Sequence, residues 1–134
     1  MNCETAYNTT GVAGLNFGTI TSISAVPAPY GATITWGALQ YAESYEVYRK
    51  ASTSAEWQKL ATVTSATYTD NSLSSGIEYS YKVRAIKGSY TADISCAPAT
   101  VKYLAAPVAT ASNVNDGIEI SFPAVGGAEK YIIE

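Results

Sequence analysis

With 134 residues, of which 47% are hydrophobic, the chain is long enough to bury the core of one domain. Only 14% of its residues are charged, the net charge is −3, and the eight basic residues are dispersed along the sequence, so nucleic acid is not an expected partner. No apolar run reaches the length of a membrane span, so membrane insertion is not expected either.

Short runs of alternating hydrophobic and polar residues, separated by turn residues, predict an all-β sandwich over residues 20–104. The predicted strands are 20–26, 32–36, 45–50, 57–63, 67–69, 78–87 and 90–96, the last continuing to 101 after a break at Pro98. Alternation sends one set of side chains inward, namely Ala32, Ile34, Trp36, Tyr45 and Val47. No segment of ten or more residues shows a helical period.

An internal repeat extends this pattern beyond residue 104. The segment 34–48 recurs as 120–134, at an offset of 86 residues. The matched pairs are Gly31 with Gly117, Trp36 with Phe122, Ala42 with Ala128, Tyr45 with Tyr131, and Val47 with Ile133. An offset of this length corresponds to one β-domain, so residues 105–134 are predicted to form the first three strands of a second, incomplete copy, with a turn at 115–117.

The sequence resembles the fibronectin type III family. Trp36 occupies the place of the tryptophan on that family's second strand, and the run 73–85 matches its spacing Leu-x-x-Gly-x-x-Tyr-x-x-x-Val-x-Ala at every position. The resemblance covers residues 20–104 and implies a seven-stranded, immunoglobulin-like β-sandwich. It implies structural roles for Trp36, Leu73, Gly76 and Tyr79, with the Tyr79 hydroxyl bonded back to nearby backbone as a tyrosine corner.

No catalytic residue, cofactor site or metal site is predicted. The absence of histidine removes the commonest general base and metal ligand. Glu43 and Glu46 are expected to be solvated surface charges. The run 70–72 (Asp-Asn-Ser) is expected to form a turn, because it lacks the spaced acidic ligands of a calcium loop.

Three aromatic residues form a possible surface for a ligand or partner. Tyr48 and Trp57 are predicted to project from the sheet beside Lys82 and Arg84, and Tyr90 lies in the loop between the last two strands. Aromatic rings with polar tips suit glycans or proteins. The alternative is structural, with Trp57 covering a sheet edge and Tyr48 pairing across strands.

Three strands of a seven-stranded sandwich cannot bury their inner face, so the incomplete copy predicts a possible assembly surface. Its residues are Ile118, Ile120, Phe122, Tyr131 and Ile133. The N-terminal arm, 1–19, could be the end of a preceding module. Its segment 7–17 loosely echoes 68–79, which predicts that one subunit could complete the next. Whether Cys3 and Cys96 form a disulfide is left open by the sequence.

These features predict a non-catalytic spacer or interaction module of an extracellular or surface-exposed multidomain protein, on a cell or a virion. Two alternatives stay open. One is a self-assembling structural subunit of a filament or virion, whose partial sandwich is completed by strands of a neighbour. The other is a module that binds glycan or protein. The expected partners are neighbouring domains or copies of the chain itself, and a glycan for the binding module.

Overall fold

The computed structural model describes residues 20–92 and 97–134. The predicted arm, 1–19, and both cysteines lie outside the described residues. The strands are β1 (Ile23–Ala28), β2 (Gly31–Trp36), β3 (Ser44–Ala51), β4 (Gln58–Val63), β5 (Thr67–Asp70), β6 (Glu78–Lys87), β7 (Tyr90–Ala92), β8 (Ala99–Lys102), β9 (Thr110–Val114) and β10 (Gly117–Ser121). The part of the chain that the structure describes contains no helix.

Residues 20–104, hereafter the central sandwich, form two antiparallel sheets. One has the order β1-β2-β5, and the other has the order β4-β3-β6, with β7 and β8 both on the far edge of β6. In this edge register Ala92 is opposite Ala85, and Ala99 is opposite Tyr81, so β7 and β8 follow one another along β6. They are the two parts of the predicted seventh strand. The predicted seven-stranded, immunoglobulin-like sandwich is confirmed.

The core lies between the two sheets, because each strand sends alternate side chains inward. Ile34 on β2, Val47 on β3, and Tyr81 and Val83 on β6 are fully buried. Trp36 is also buried, and its ring meets that of Tyr45 edge-on with centroids 5.4 Å apart. Such aromatic pairs contribute roughly 1 kcal/mol beyond their buried area.

The first strand differs from its prediction. It was expected to end before Pro27, but β1 includes this proline and pairs it with Ala32 of β2. A proline removes one backbone donor, which is tolerated on a strand with a single neighbour. Because β1 is an edge strand of its sheet, the hydrogen-bond ladder to β2 continues through Ala28.

Residues 105–134, hereafter the C-terminal segment, contain the hairpin β9–β10 with its turn at residues 115 and 116. Of the three strands predicted for this segment, the last, at 130–134, is wrong, because these residues are not in a strand. Its counterpart in the central sandwich, β3, is held between β4 and β6. Among the described residues no such neighbours are present for 130–134, so no ladder forms.

Two contacts within the repeat are nevertheless the same in both copies. The backbone N–H of Leu39 donates to the Tyr45 hydroxyl at 2.8 Å, and that of Val125 donates to the Tyr131 hydroxyl at 2.6 Å. The Phe122 and Tyr131 rings also touch, with centroids 4.8 Å apart. The hydrogen bond and the ring contact across the loop after the second strand therefore form in both copies, whether or not the sandwich around them is complete.

Candidate functional site

The outer face of the sheet β4-β3-β6 gathers half of the basic residues of the chain. Strand alternation points Glu46, Tyr48 and Lys50 of β3 away from the core. In the register of the sheet, Tyr48 lies between Lys59 of β4 and Lys82 of β6, while Arg84 lies opposite Glu46. We call this set, together with Trp57 just before β4, the cationic face; its members are Glu46, Tyr48, Lys50, Trp57, Lys59, Lys82 and Arg84.

Lys82 links the two aromatic rings of the cationic face. Its Nζ atom lies 4.6 Å from the ring centroid of Trp57 and 5.5 Å from that of Tyr48. Lys50 approaches the Trp57 ring to 5.4 Å, and the Arg84 guanidinium approaches the Tyr48 ring to 5.6 Å. These distances are those of cation–π interactions, which contribute about 0.5–1 kcal/mol each at exposed positions.

Glu46 organises the other half of the cationic face. Its carboxylate pairs with Lys59 and, at 3.3 Å, with Arg84, and it accepts a hydrogen bond from the Tyr48 hydroxyl at 2.7 Å. Arg84 in turn donates to the Tyr48 hydroxyl at 2.8 Å. The hydrogen bonds from Lys59 and Tyr48 hold the pKa of Glu46 below its ordinary value, against the opposing effect of burial. Burial and the bond to Glu46 raise the pKa of Tyr48, which therefore stays a neutral donor.

The structure brings Tyr48 and Trp57 together around Lys82, but it does not describe the side chain of Tyr90, whose backbone lies in β7. Lys82 and Arg84 were predicted as their neighbours, whereas Lys50 and Lys59 were not. The alternation of β3 contained the signal for Lys50, since it is two residues from Tyr48. The position of Lys59 opposite Tyr48 depends on a β-bulge between β3 and β4, which the sequence does not reveal.

A second candidate site is the junction between the central sandwich and the C-terminal segment. The Ser75 hydroxyl donates to the Gly126 carbonyl at 2.7 Å and accepts from the Ala105 N–H at 3.1 Å. A Cβ placed on Gly127 would lie 2.5 Å from the Gly76 Cα, so the two turns are in direct backbone contact. Gly76 and Gly127 both have positive φ, 83° and 81°. Only glycine fits such a contact without strain.

Residues next to this junction are anchored to the central sandwich. The Gly76 N–H donates to the Tyr103 carbonyl at 2.9 Å, and the buried Tyr103 ring places its hydroxyl 3.3 Å from the Pro29 carbonyl. The chain therefore leaves the sandwich along a fixed path. The sequence does not predict the glycine contact, because nothing in the spacing pairs Gly76 with Gly127.

The four residues with predicted structural roles lie in or beside the core. Trp36 is buried, and within residues 20–92 and 97–134 its indole Nε1 has no hydrogen-bond partner. The Tyr79 hydroxyl accepts a hydrogen bond from the Ser74 N–H at 3.1 Å, which is the geometry of a tyrosine corner. Leu73 packs against the core, and Gly76 makes the turn at the junction.

Asp70, expected to be a turn residue, is a buried ionic centre. Its carboxylate pairs with Arg49 at 2.8 Å and accepts from the Tyr81 hydroxyl at 2.9 Å. It also accepts from the backbone N–H and the hydroxyl of Ser72. Burial alone would raise the pKa of Asp70, but the bonds from Ser72 and Tyr81 and the charge of Arg49 outweigh it and hold that pKa below 3.8. This arrangement is structural, since its polar groups satisfy one another.

The residues of the predicted assembly surface are exposed to different degrees. Ile118 is 69% exposed and Ile133 is 70% exposed, whereas their counterparts Ala32 and Val47 are completely buried. The other three are Ile120 and Tyr131, which are exposed, and Phe122, which is half-buried. The C-terminal segment thus presents side chains that the same fold buries one repeat earlier.

Residues 20–92 and 97–134 contain no group of three or more aspartate, glutamate, histidine or cysteine residues placed to hold a metal ion. The same ranges contain no helix with the length and apolarity needed to cross a membrane.

No protein-family model matches the chain. Over 97 residues it is 30% identical to an amylopullulanase of Thermoanaerobacter thermohydrosulfuricus, a match that covers 72% of this chain and 6% of that protein. An Fn3-like protein from Clostridium thermocellum is 33% identical with a TM-score of 0.54, over 61% of this chain and 88% of that one. The structure of titin kinase and its flanking domains, at 17% identity, shares the fold with a TM-score of 0.53, over 60% of this chain and 16% of that one. The chain therefore belongs to the fibronectin type III-like family.

Proposed function

We propose that the chain is a non-catalytic spacer within a secreted or surface-exposed multidomain protein, and that it holds neighbouring modules at a fixed separation. In this proposal residues 105–134 are the start of a second fibronectin type III-like module. The direct contact between the turns of Gly76 and Gly127 is the observation that carries the proposal. Two modules joined by an undocked linker would be free to rotate, whereas a backbone contact at the junction restricts them.

The amylopullulanase match supports a role within a longer protein. The chain spans only 6% of that protein's length, so the similarity concerns one small part of a much larger polypeptide. The extracellular or surface location is proposed on the same basis.

A distance measurement across the junction tests the proposal. Spin labels would be attached at Thr62→Cys on β4 and Asn113→Cys on β9, both exposed, with Cys3 and Cys96 replaced by serine. Double electron–electron resonance on the full chain should give a single narrow distance distribution. Gly127→Ala should broaden it, because the new Cβ would lie 2.5 Å from the Gly76 Cα.

Gly88→Ala is the matched control. Gly88 also has a positive φ, 57°, but a Cβ there would meet nothing within 4 Å. It reproduces the backbone strain without the contact, so its distribution should stay narrow. Ser75→Ala, which removes the hydrogen bonds to Gly126 and Ala105, should broaden the distribution from the other side of the junction. A broad distribution in the parent chain would contradict a rigid spacer.

A second candidate function is self-assembly through the C-terminal segment. It is supported by the exposure of Ile118 and Ile133, whose counterparts in the central sandwich are buried. Strands from another copy could cover these residues and pair with the free edges of the hairpin β9–β10. The N-terminal arm proposed for this purpose lies outside the described residues.

A further inference from the structure

We propose that the cationic face binds an acidic polysaccharide, with the carboxylates of its sugars held by Lys50 and Lys82 and its sugar rings lying against Trp57 and Tyr48. The inference is independent of the spacer role, because it depends on the outer face of the sheet β4-β3-β6 and not on the junction.

The charges on the cationic face favour a negatively charged partner. Within residues 20–92 and 97–134, the cationic face carries four basic residues and one carboxylate, although the chain as a whole has a net charge of −3. The Glu46 carboxylate forms ion pairs with Lys59 and Arg84. Among the described residues Lys50 and Lys82 pair with aromatic rings and with no carboxylate. The two ammonium groups are thus available to a negatively charged partner.

The positions of the Trp57 and Tyr48 rings favour a sugar that carries a carboxylate. The Lys82 ammonium lies between Trp57 and Tyr48, so an anion bound to it is placed directly beside two aromatic surfaces. A carboxylated sugar has both the required charge and an apolar face of C–H groups that can lie on an aromatic ring. Both rings are half-buried and hence fixed in position, which reduces the entropy lost on binding.

The spacing of the cations favours a polymer over a single sugar. Lys59, Tyr48 and Lys82 form a row across three neighbouring strands. Since strands lie about 4.8 Å apart, the two lysine backbones are separated by roughly 10 Å. Arg84 lies two residues from Lys82 along β6, which extends the charged area in the second direction. An extended polyanion crossing this face could contact several of these cations at once, whereas an isolated sugar could not.

Affinity electrophoresis of the full chain in gels that contain a polysaccharide tests the inference. Polygalacturonate is the acidic polysaccharide, pullulan is the neutral one, and polyglutamate supplies the same charge without sugar rings. At about 0.15 M salt, where exposed charges are screened beyond roughly 8 Å, polygalacturonate should retard the protein, and the other two polymers should not.

Substitutions within the face should weaken this retardation. Lys82→Gln should raise the apparent Kd for polygalacturonate by about fivefold, the effect of losing one exposed ion pair. Trp57→Ala should raise it by about tenfold or more, as truncation of a binding tryptophan does. Lys130→Gln removes the same charge from the C-terminal segment and should change nothing. Circular dichroism and thermal unfolding would establish that each variant is folded, and Lys82→Gln tests the inference even if Trp57→Ala unfolds.

Each contrary result overturns the inference in a recognisable way. Equal retardation by polyglutamate would show a general attraction for anions, and equal retardation by pullulan would show a site for neutral glycans. Equal losses in Lys82→Gln and Lys130→Gln would place the binding elsewhere. No retardation by polygalacturonate would remove the site altogether. None of these results affects the distance distribution across the junction, so the spacer proposal is tested separately.

Discussion

Asp70 shows how a single buried charge can be stabilised by its neighbours. It is 2% exposed, and in isolation such a carboxylate would be expected to take up a proton. Its two oxygens instead receive bonds from Ser72, Tyr81 and Arg49, so the charged form is the stable one. The ion pair joins β3 to β5, which belong to different sheets. Asp70 thus fastens the two layers together beside the core.

The protein should lose stability in acid because of this group. The pKa of Asp70 is lower in the folded chain than its ordinary value of 3.8. Its contribution to the free energy of unfolding is therefore complete above about pH 4 and decreases as the pH falls through the folded pKa. Asp70→Asn should lower the free energy of unfolding near pH 7 by about 3 kcal/mol, the typical cost of breaking a buried ion pair.

Urea unfolding between pH 2 and pH 7 measures both effects. The parent chain should become less stable below pH 4, and Asp70→Asn should flatten this part of the profile. Glu119→Gln, a change to an exposed carboxylate on β10, should leave the profile as it is in the parent. If Asp70→Asn and the parent show the same acid dependence, other groups are responsible for it.

The sequence indicated the position of Asp70 at a turn but not its burial. Asp, Asn and Ser in succession are typical of an exposed turn, and residues 71 and 72 are exposed. Two of the partners of the Asp70 carboxylate, Arg49 and Tyr81, are distant from Asp70 in the sequence. Tyr81 was predictable as an inward residue of β6, whereas the inward direction of Arg49 conflicts with its charge. The local sequence pattern therefore does not predict the ion pair and hydrogen bonds of Asp70.

At the level of strands, the close approach of β2 and β5 depends on Gly31. A Cβ at this position would lie 1.8 Å from the Asp70 carbonyl oxygen, which is backbone and cannot rotate away. Gly31→Ala should therefore reduce the free energy of unfolding by about 2–3 kcal/mol, since the strands must separate locally to admit one methyl group. Chemical denaturation of the purified variant measures this change.

Gly37→Ala is the control for this prediction. Gly37 follows directly after β2, has no positive φ, and would place its new Cβ in open space. Replacing such a glycine restricts the unfolded chain, so stability should stay the same or rise by about 0.5 kcal/mol. A loss of stability in Gly37→Ala as large as that in Gly31→Ala would show that the contact with Asp70 is not the cause.

Strand patterns predicted most of the central sandwich, because alternation of side chains is a local property. β2, β3 and β6 were found within one residue of their ends, and the inward side chains predicted for β2 and β3 are buried. The errors occurred where a strand depends on its neighbours. β1 continues through Pro27 because an edge strand can accept a proline. Residues 130–134 have the composition of a strand but remain outside the sheets, because no partner strand is described beside them.

At the level of the whole molecule, the exposed C-terminal segment should cause self-association. The mass measured by light scattering should rise above the monomer value of 14.1 kDa as concentration increases. Replacing Ile118 and Ile120 together by serine should reduce this rise, because both side chains are exposed and apolar. Val26→Ser, a change to an exposed valine on β1, is the control and should have no effect. A mass of 14.1 kDa at every concentration would contradict the prediction.

The candidate sites were less predictable than the fold. The sequence identified Tyr48 and Trp57 as outward aromatics, but their shared contact with Lys82 requires the register of three strands. Gly126 and Gly127 lie between two predicted strands, and no motif in the sequence marks them as a contact. Their contact with Ser75 and Gly76 brings together residues about 50 positions apart in the sequence. Because glycine has no side chain, the hydrophobic pattern of the sequence does not predict such a contact.

The glycine contact also distinguishes one end of the central sandwich from the other. One repeat before Gly126 and Gly127 the chain has Gln40 and Tyr41, at the opposite end of the sandwich from Ser75 and Gly76. Every described residue with a positive φ is a glycine, so Tyr41 does not reproduce the turn of Gly127. The loops at the two ends of the sandwich therefore differ in backbone conformation. In a row of such modules, we expect each joint to take its angle from the two turns that meet there, so the order of the modules would determine the bend of the rod.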